Sequence, residues 1–303
     1  MIEKLRTPDE RFTDLPGYDF APHYVNLDGL RMHHVDEGKR DRPVFLCLHG
    51  QPTWSYLYRK MIPVFADAGR VIAPDLFGFG RSDKPVADET YTFDFHRVSL
   101  LALIDALDLS DITLVCQDWG GILGLTLPMD RPDRFSRLVV MNTTLGTGDR
   151  PLGQGFDQWR AFNRTQPDLD VAALMQRATP GLSSLEAAAY AAPFPDVRYK
   201  AGVRRFPDLM PSSSEAGGAE LSRCAARWWA QDWRGLSFMA IGAQDPVLTP
   251  AMMETLCETI RGCPPAMVIP DAGHFVQEWG EPVAHSALAE FAKHVSVPRT
   301  PQI

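Results

Sequence analysis

The sequence predicts an α/β fold: a mostly parallel sheet of eight strands with helices on both faces and one helical insertion. Three observations predict it. Short β-branched apolar runs alternate with amphipathic stretches, glycine and proline punctuate most of the joints, and the rhythm breaks only once, between residues 143 and 233.

The strands fall in order at 23–27, 30–36, 44–48, 71–74, 112–116, 138–142, 237–242 and 267–270. The first two flank Asp28-Gly29, a hairpin turn, and read as an antiparallel pair at a sheet edge. The remaining runs are largely apolar, as expected of strands buried on both faces. Helical periodicity covers 55–68, 93–107, 120–129, 250–261 and 281–294. Residues 1–142 and 234–303 therefore read as one main domain, and 143–233 as a helical cap. Within the cap, the Ser/Gly-rich stretch 212–218 reads equally as a mobile connector or an ordinary solvated turn. An insertion at the carboxyl ends of parallel strands lies over the crevice where open α/β sheets bind ligands.

Composition narrows the partners. The 303 residues carry 30 Lys and Arg against 38 Asp and Glu, a formal charge of −8 with no basic run, which argues against nucleic acid or an anionic membrane. No stretch approaches a spanning helix and the amino terminus has no apolar leader, so a cytoplasmic monomer is expected. Five cysteines form no C-x-x-C pair and no histidine cluster has metal spacing. No metal or cofactor is expected.

Reactive residues fall at successive strand ends. Ile112-Thr-Leu-Val-Cys-Gln-Asp118-Trp-Gly-Gly121 reads as a strand, a tight turn and a helix start, with Asp118 at the nucleophile position of the turn. An ionised carboxylate attacks saturated carbon without a base to activate it. Taken alone, Asp118 also fits a helix cap, the less favoured of the two readings. After the seventh strand comes Asp245-Pro246, and after the eighth Gly273-His274-Phe275; each alone is an ordinary loop sequence. Together they follow the order nucleophile, acid, histidine of an α/β-hydrolase, in which the histidine activates water and the acid orients it. After the third strand, His49-Gly50-Gln51 turns so that the N–H of Gln51 can join that of Trp119 as an oxyanion hole, with His49 shaping the turn. Gly78-Phe-Gly80-Arg-Ser lacks the spacing of a phosphate loop and reads as packing beneath the site.

Over nearly its whole length the chain resembles the haloalkane dehalogenase family of α/β-hydrolases. The resemblance is carried by His49-Gly-Gln-Pro-Thr-Trp-Ser-Tyr-Leu-Tyr-Arg-Lys-Met61, Cys116-Gln-Asp-Trp-Gly-Gly121, Tyr190-Ala-Ala-Pro-Phe-Pro-Asp196, Lys200-Ala-Gly-Val-Arg-Arg-Phe-Pro207 and Gly273-His-Phe-Val-Gln-Glu278. The cap segment is most similar to the 1,2-dichloroethane type, whose acid follows the seventh strand; Asn142, after the sixth, cannot be a carboxylate. The resemblance implies that Asp118 displaces halide from a small halogenated hydrocarbon, giving an alkyl ester that His274 and Asp245 hydrolyse. It also implies that the indoles of Trp119 and Trp159 hold the halide, and leaves open whether the Gln51 amide assists. Epoxide hydrolases share the elbow and need cap tyrosines, for which Tyr190 and Tyr199 are candidates. Fluoroacetate-type dehalogenases need a cation, for which Arg160, Arg164 and Arg204 are candidates. A non-catalytic binding protein would lack a triad member, and none is missing here.

Overall fold

The computed structural model describes residues 2–294. Eight strands form one sheet: β1 (His23–Leu27), β2 (Leu30–Gly38), β3 (Val44–Leu48), β4 (Arg70–Pro74), β5 (Ile112–Cys116), β6 (Phe135–Met141), β7 (Leu236–Gly242) and β8 (Met267–Ile269). Their order across the sheet is β8-β7-β6-β5-β3-β4-β2-β1. β2 pairs antiparallel with both β1 and β4, and every other pairing is parallel. Every residue of β3 and β5 is buried, because helices cover both faces.

The chain passes from β3 outward to β4, then returns to the other side of β3 as β5. This reversal opens a crevice at the carboxyl ends of β3 and β5, where open α/β sheets bind ligands. The turn His49-Gly50-Gln51 ends β3 and Asp118 follows β5, so topology alone brings them together.

Flanking the sheet are α1 (Ile62–Ala68), α2 (Phe93–Ala106), α3 (Asp118–Gly124), α9 (Pro250–Thr259) and α10 (Gly280–Ala292). Two are shorter than the periodicity suggests. The expected helix 55–68 is a single tight turn, Ser55–Tyr58, followed by α1; the Ser55 N–H is taken by the Asp75 carboxylate, and Pro63 marks the new helix start. The expected helix 120–129 begins at Asp118 and stops at Gly124, since Pro128 has no N–H to continue it.

Between β6 and β7 lie α4 (Gln154–Arg164), α5 (Val171–Ala178), α6 (Ser184–Ala191), α7 (Ala201–Leu209) and α8 (Ala219–Gln231). α8 supplies the crossover that two parallel neighbours require. Its Trp229 indole donates to the Leu125 carbonyl at 2.8 Å and its Trp229 carbonyl accepts from the Arg261 N–H at 3.1 Å, which anchors it in the sheet-flanking layer. The two legs of the segment before α8 touch: a Cβ on Gly146 would press on Pro211, and one on Gly148 would overlap the Ser213 carbonyl. Among the described residues no helix is long and apolar enough to cross a membrane.

α3 packs so closely on β3 that a Cβ on Gly120 would overlap the Leu48 carbonyl oxygen, and one on Gly50 would overlap the Asp118 carboxylate. Backbone cannot yield as a flexible side chain does. Gly120→Ala is expected to lower stability by about 1–3 kcal/mol, read as a fall in thermal midpoint, with loss of activity as the elbow shifts.

Candidate active site

Asp118 sits at φ 49°, a left-handed conformation that a non-glycine residue adopts only when its surroundings hold it there. Two bonds do so: its N–H donates to the Asn142 carbonyl at 2.9 Å, and its carbonyl accepts from the Thr143 hydroxyl at 2.7 Å. The side chain is thereby lifted clear of strand and helix. Its Oδ1 accepts the Gln51 N–H at 2.8 Å, and its Oδ2 lies 3.5 Å from His274 Nε2.

The Gln51 N–H points that way because the carbonyl of the same peptide group, on Gly50, is held on the opposite side. It accepts from His49 Nδ1 at 2.9 Å, Thr53 N at 3.0 Å and Thr53 Oγ1 at 2.9 Å. His49 Nε2 accepts from the Leu76 N–H, so this buried ring is neutral and protonated on Nδ1. Burial also pushes its pKa down. His49 thus shapes the turn without reaching the cavity.

His274 Nδ1 lies 2.8 Å from Asp245 Oδ2. Asp245 is fixed in turn: Oδ1 accepts from the N–H groups of Val247 at 2.8 Å and Leu248 at 3.0 Å, and Oδ2 from Asn142 Nδ2 at 3.0 Å. Burial opposes its ionisation, but the His274 charge and these donors hold its pKa below the usual carboxylate value. For His274 burial works toward a lower pKa, and the Asp245 charge with the bonds to Asp118 and Asp245 outweighs it, raising the value to about 10. An imidazole so placed can hold a proton between two anions and, once one anion is removed, give that proton up and then take one from water.

Sequence reasoning missed two supports. Asn142, weighed only as a carboxylate position, donates to Asp245 and to the Gly242 and Leu248 carbonyls while accepting from the Gly242 N–H. Gln117 Nε2 donates to the His274 carbonyl at 3.0 Å. Their amide chemistry just beyond strand ends was the available signal.

Asp118, Trp119, Trp159 and His274 border one cavity of about 560 Å³, with apolar walls such as Phe156, Ile122 and Leu174. Trp54, Trp229 and Trp233 spend their indole N–H groups on Ala189 O, Leu125 O and Ser237 Oγ. Among the described residues Trp119 and Trp159 have no such acceptor, so two N–H donors are available to an anion in a largely apolar chamber. The Gln51 amide is turned away, donating through Nε2 to the Val203 carbonyl at 3.0 Å.

The residues named for rival chemistries lie elsewhere. Among the described residues no tyrosine borders the cavity; the Tyr190 hydroxyl is bound to Glu278 beside Arg59. Arg160, Arg164 and Arg204 pair with Asp157, Asp208 and Asp88 and do not border it. One arginine that was not singled out, Arg177, lies exposed at its edge, 5.5 Å over the Phe162 ring.

Known proteins resemble this chain over nearly its whole length. The family model described as alpha/beta hydrolase fold matches residues 43–281. A haloalkane dehalogenase of Psychrobacter cryohalolentis is 45% identical over 292 residues, covering 92% of this chain and 95% of that protein. One from Mycolicibacterium paratuberculosis is 45% identical over 285 residues, covering 90% and 93%. The tetrameric structure of haloalkane dehalogenase DpaA from Paraglaciecola agarilytica superposes with a TM-score of 0.94 at 55% identity, covering 96% of this chain and 99% of that one. The chain belongs to the haloalkane dehalogenases, hydrolases of carbon–halogen bonds built on the α/β-hydrolase fold.

Proposed function

We propose that Asp118 is the nucleophile, His274 the base, Asp245 its orienting acid, Gln51 and Trp119 N–H groups the oxyanion hole, and the indoles of Trp119 and Trp159 the halide donors. The observation that carries this reading is the division of the Asp118 carboxylate. Oδ1 is held by a backbone N–H, while Oδ2 has only the His274 ring beside it, in a cavity with two unspent indole donors.

In the first step Oδ2 attacks the carbon opposite the halogen; the carbon–halogen bond breaks, its electron pair leaves with the halide, and an ester forms on Asp118. Donors preorganised where that charge develops favour the transition state over the ground state. Esterification also deletes one of the two anions flanking His274, which lowers the affinity of the ring for its proton. The ring releases that proton to solvent and, now neutral, takes one from water as the water oxygen adds to the ester carbon, with negative charge gathering on Oδ1. Collapse expels the alcohol, which carries away that proton. The acid left on Asp118 passes its proton back to His274, which restores the resting state, so the balance is alcohol, halide and one proton.

Residues 1–142 and 234–303 serve as the catalytic domain and 143–233 as the cap, with α8 as the crossover within that span. A cytoplasmic location is proposed with this reading. The sequence suggests a monomer, but the tetramer formed by DpaA, at 55% identity, favours assembly of this chain as well.

Three outcomes are expected. The purified protein releases halide from short chloro- and bromoalkanes, and Asp118→Asn slows release by several orders of magnitude; equal release by both proteins removes Asp118 from its role. His274→Phe stops after the first step, so its intact mass rises by one alkyl group; an unchanged mass after a single-turnover halide burst rejects the base. The third outcome concerns pH. The folded His274 pKa is raised from 6.5 to about 10, so its stabilisation is complete below pH 6.5 and is lost as pH rises through about 10. Across that window the wild-type thermal midpoint should fall more steeply than that of His274→Phe.

A further inference from the structure

The geometry points to a tether that registers the cap on the nucleophile: the proline inside α7 frees a carbonyl that the Gln51 side chain takes, and Asn163 takes the next. Helix α7 carries Pro207 in its interior. Proline has no N–H, so the carbonyl four residues earlier, on Val203, has no helical donor. Val203 is fully buried, where an unpaired carbonyl is costly. Gln51 Nε2 supplies the missing donor at 3.0 Å. The following carbonyl, on Arg204, accepts from Asn163 Nδ2 at 2.9 Å. Both amide side chains are buried.

The two amides come from opposite sides of the site. Gln51 also gives Asp118 its backbone N–H, so the residue that polarises the nucleophile is the one that seats α7. Asn163 lies four residues beyond Trp159 in α4, one turn along the same face. Phe206, beside the break, meets the Trp119 ring edge-on with centroids 5.0 Å apart. A continuous path thus runs from Asp118 through Gln51 and two carbonyls of α7 to Asn163 and Trp159. Gln51 and Asn163 are positioning residues in this scheme: they set where the cap-borne indole stands relative to the nucleophile. A register error of an ångström there is costly, because halide stabilisation depends on donors already in place. The inference rests on reading Trp159 as a halide donor, and its test separates the two.

The variants are Gln51→Met and Asn163→Leu, which remove one amide each at similar volume, and Pro207→Ala, which leaves both amides but gives Val203 its own N–H. Bromide affinity is read from quenching of tryptophan fluorescence. Hydrogen exchange is followed in α4 and α7, and KM and kcat are measured with a bromoalkane. Each single variant should weaken bromide binding by about five-fold, the effect of one neutral hydrogen bond, raise KM more than it lowers kcat, and speed exchange in α4. Gln51→Met combined with Pro207→Ala should cost little more than either alone, since both act on the Val203 carbonyl. If Gln51→Met weakens bromide binding while Pro207→Ala and Asn163→Leu do not, Gln51 is a direct halide donor and the tether is wrong. If all three only lower the melting temperature and leave bromide affinity unchanged, the amides are structural and the tether is likewise wrong. Should exchange in α4 respond as expected while Trp159→Phe leaves bromide binding intact, the tether holds and the role given to Trp159 fails. Asn163 lies outside the cavity, so its variant tests the far half of the path even if Gln51→Met does not fold.

Discussion

Everything in this molecule is arranged around one ring held between two carboxylates. Placing Asp118 and Asp245 either side of His274 in a nearly dry setting creates a charge problem that only dense hydrogen bonding can solve. Asp245 solves it with four donors, two from backbone, one from Asn142 and one from the imidazole. Asp118 is held less tightly, with one backbone donor on Oδ1 and only the His274 ring, 3.5 Å away, beside Oδ2. Asn142 is the hinge of the arrangement, since its carbonyl holds the Asp118 backbone while its amide holds Asp245.

The fold serves this arrangement through strand order. Because β3 and β5 are neighbours with the reversal between them, the peptide that polarises Asp118 and the turn that bears it arrive from adjacent strands. No long loop has to find its place. A second buried network works at longer range: Arg59, after the turn that follows β3, binds Glu278 just beyond His274 and Glu186 in α6, joining cap and catalytic layer by charge. Both carboxylates are held below the usual range although burial opposes it, since the guanidinium is their common partner.

Much of this was legible in the sequence. Strand positions followed from apolar runs, and the meeting of Asp118, Asp245 and His274 from their places at successive strand ends in one order. What was not legible depends on contacts between distant segments. Tyr190 reads as a cap tyrosine available for chemistry, yet its hydroxyl is committed to Glu278, 88 residues away. Gln51 reads as a candidate halide donor, yet its amide is drawn off by a carbonyl freed 152 residues later. The turn at 55–58 is held by Asp75, just beyond β4, whose carboxylate takes the Ser55 N–H, a distant contact no local propensity contains; the break before α1 falls where Pro63 has no N–H for the Arg59 carbonyl. Asn142 was seen only as the wrong side chain for an acid, since its value lies in donating and accepting at once.

The legs of the segment between β6 and α8 run side by side, with Gly146 against Pro211 and Gly148 against Ser213. A segment that leaves and re-enters a structure at one spot can be exchanged as a single cassette, provided Gln51 and Arg59 keep their partners within it. The walls that choose among substrates can therefore diversify while Asp118, Asp245 and His274 stay constant, and a chimaera spliced at Gly146–Gly148 on one leg and Pro211–Ser213 on the other would exchange selectivity.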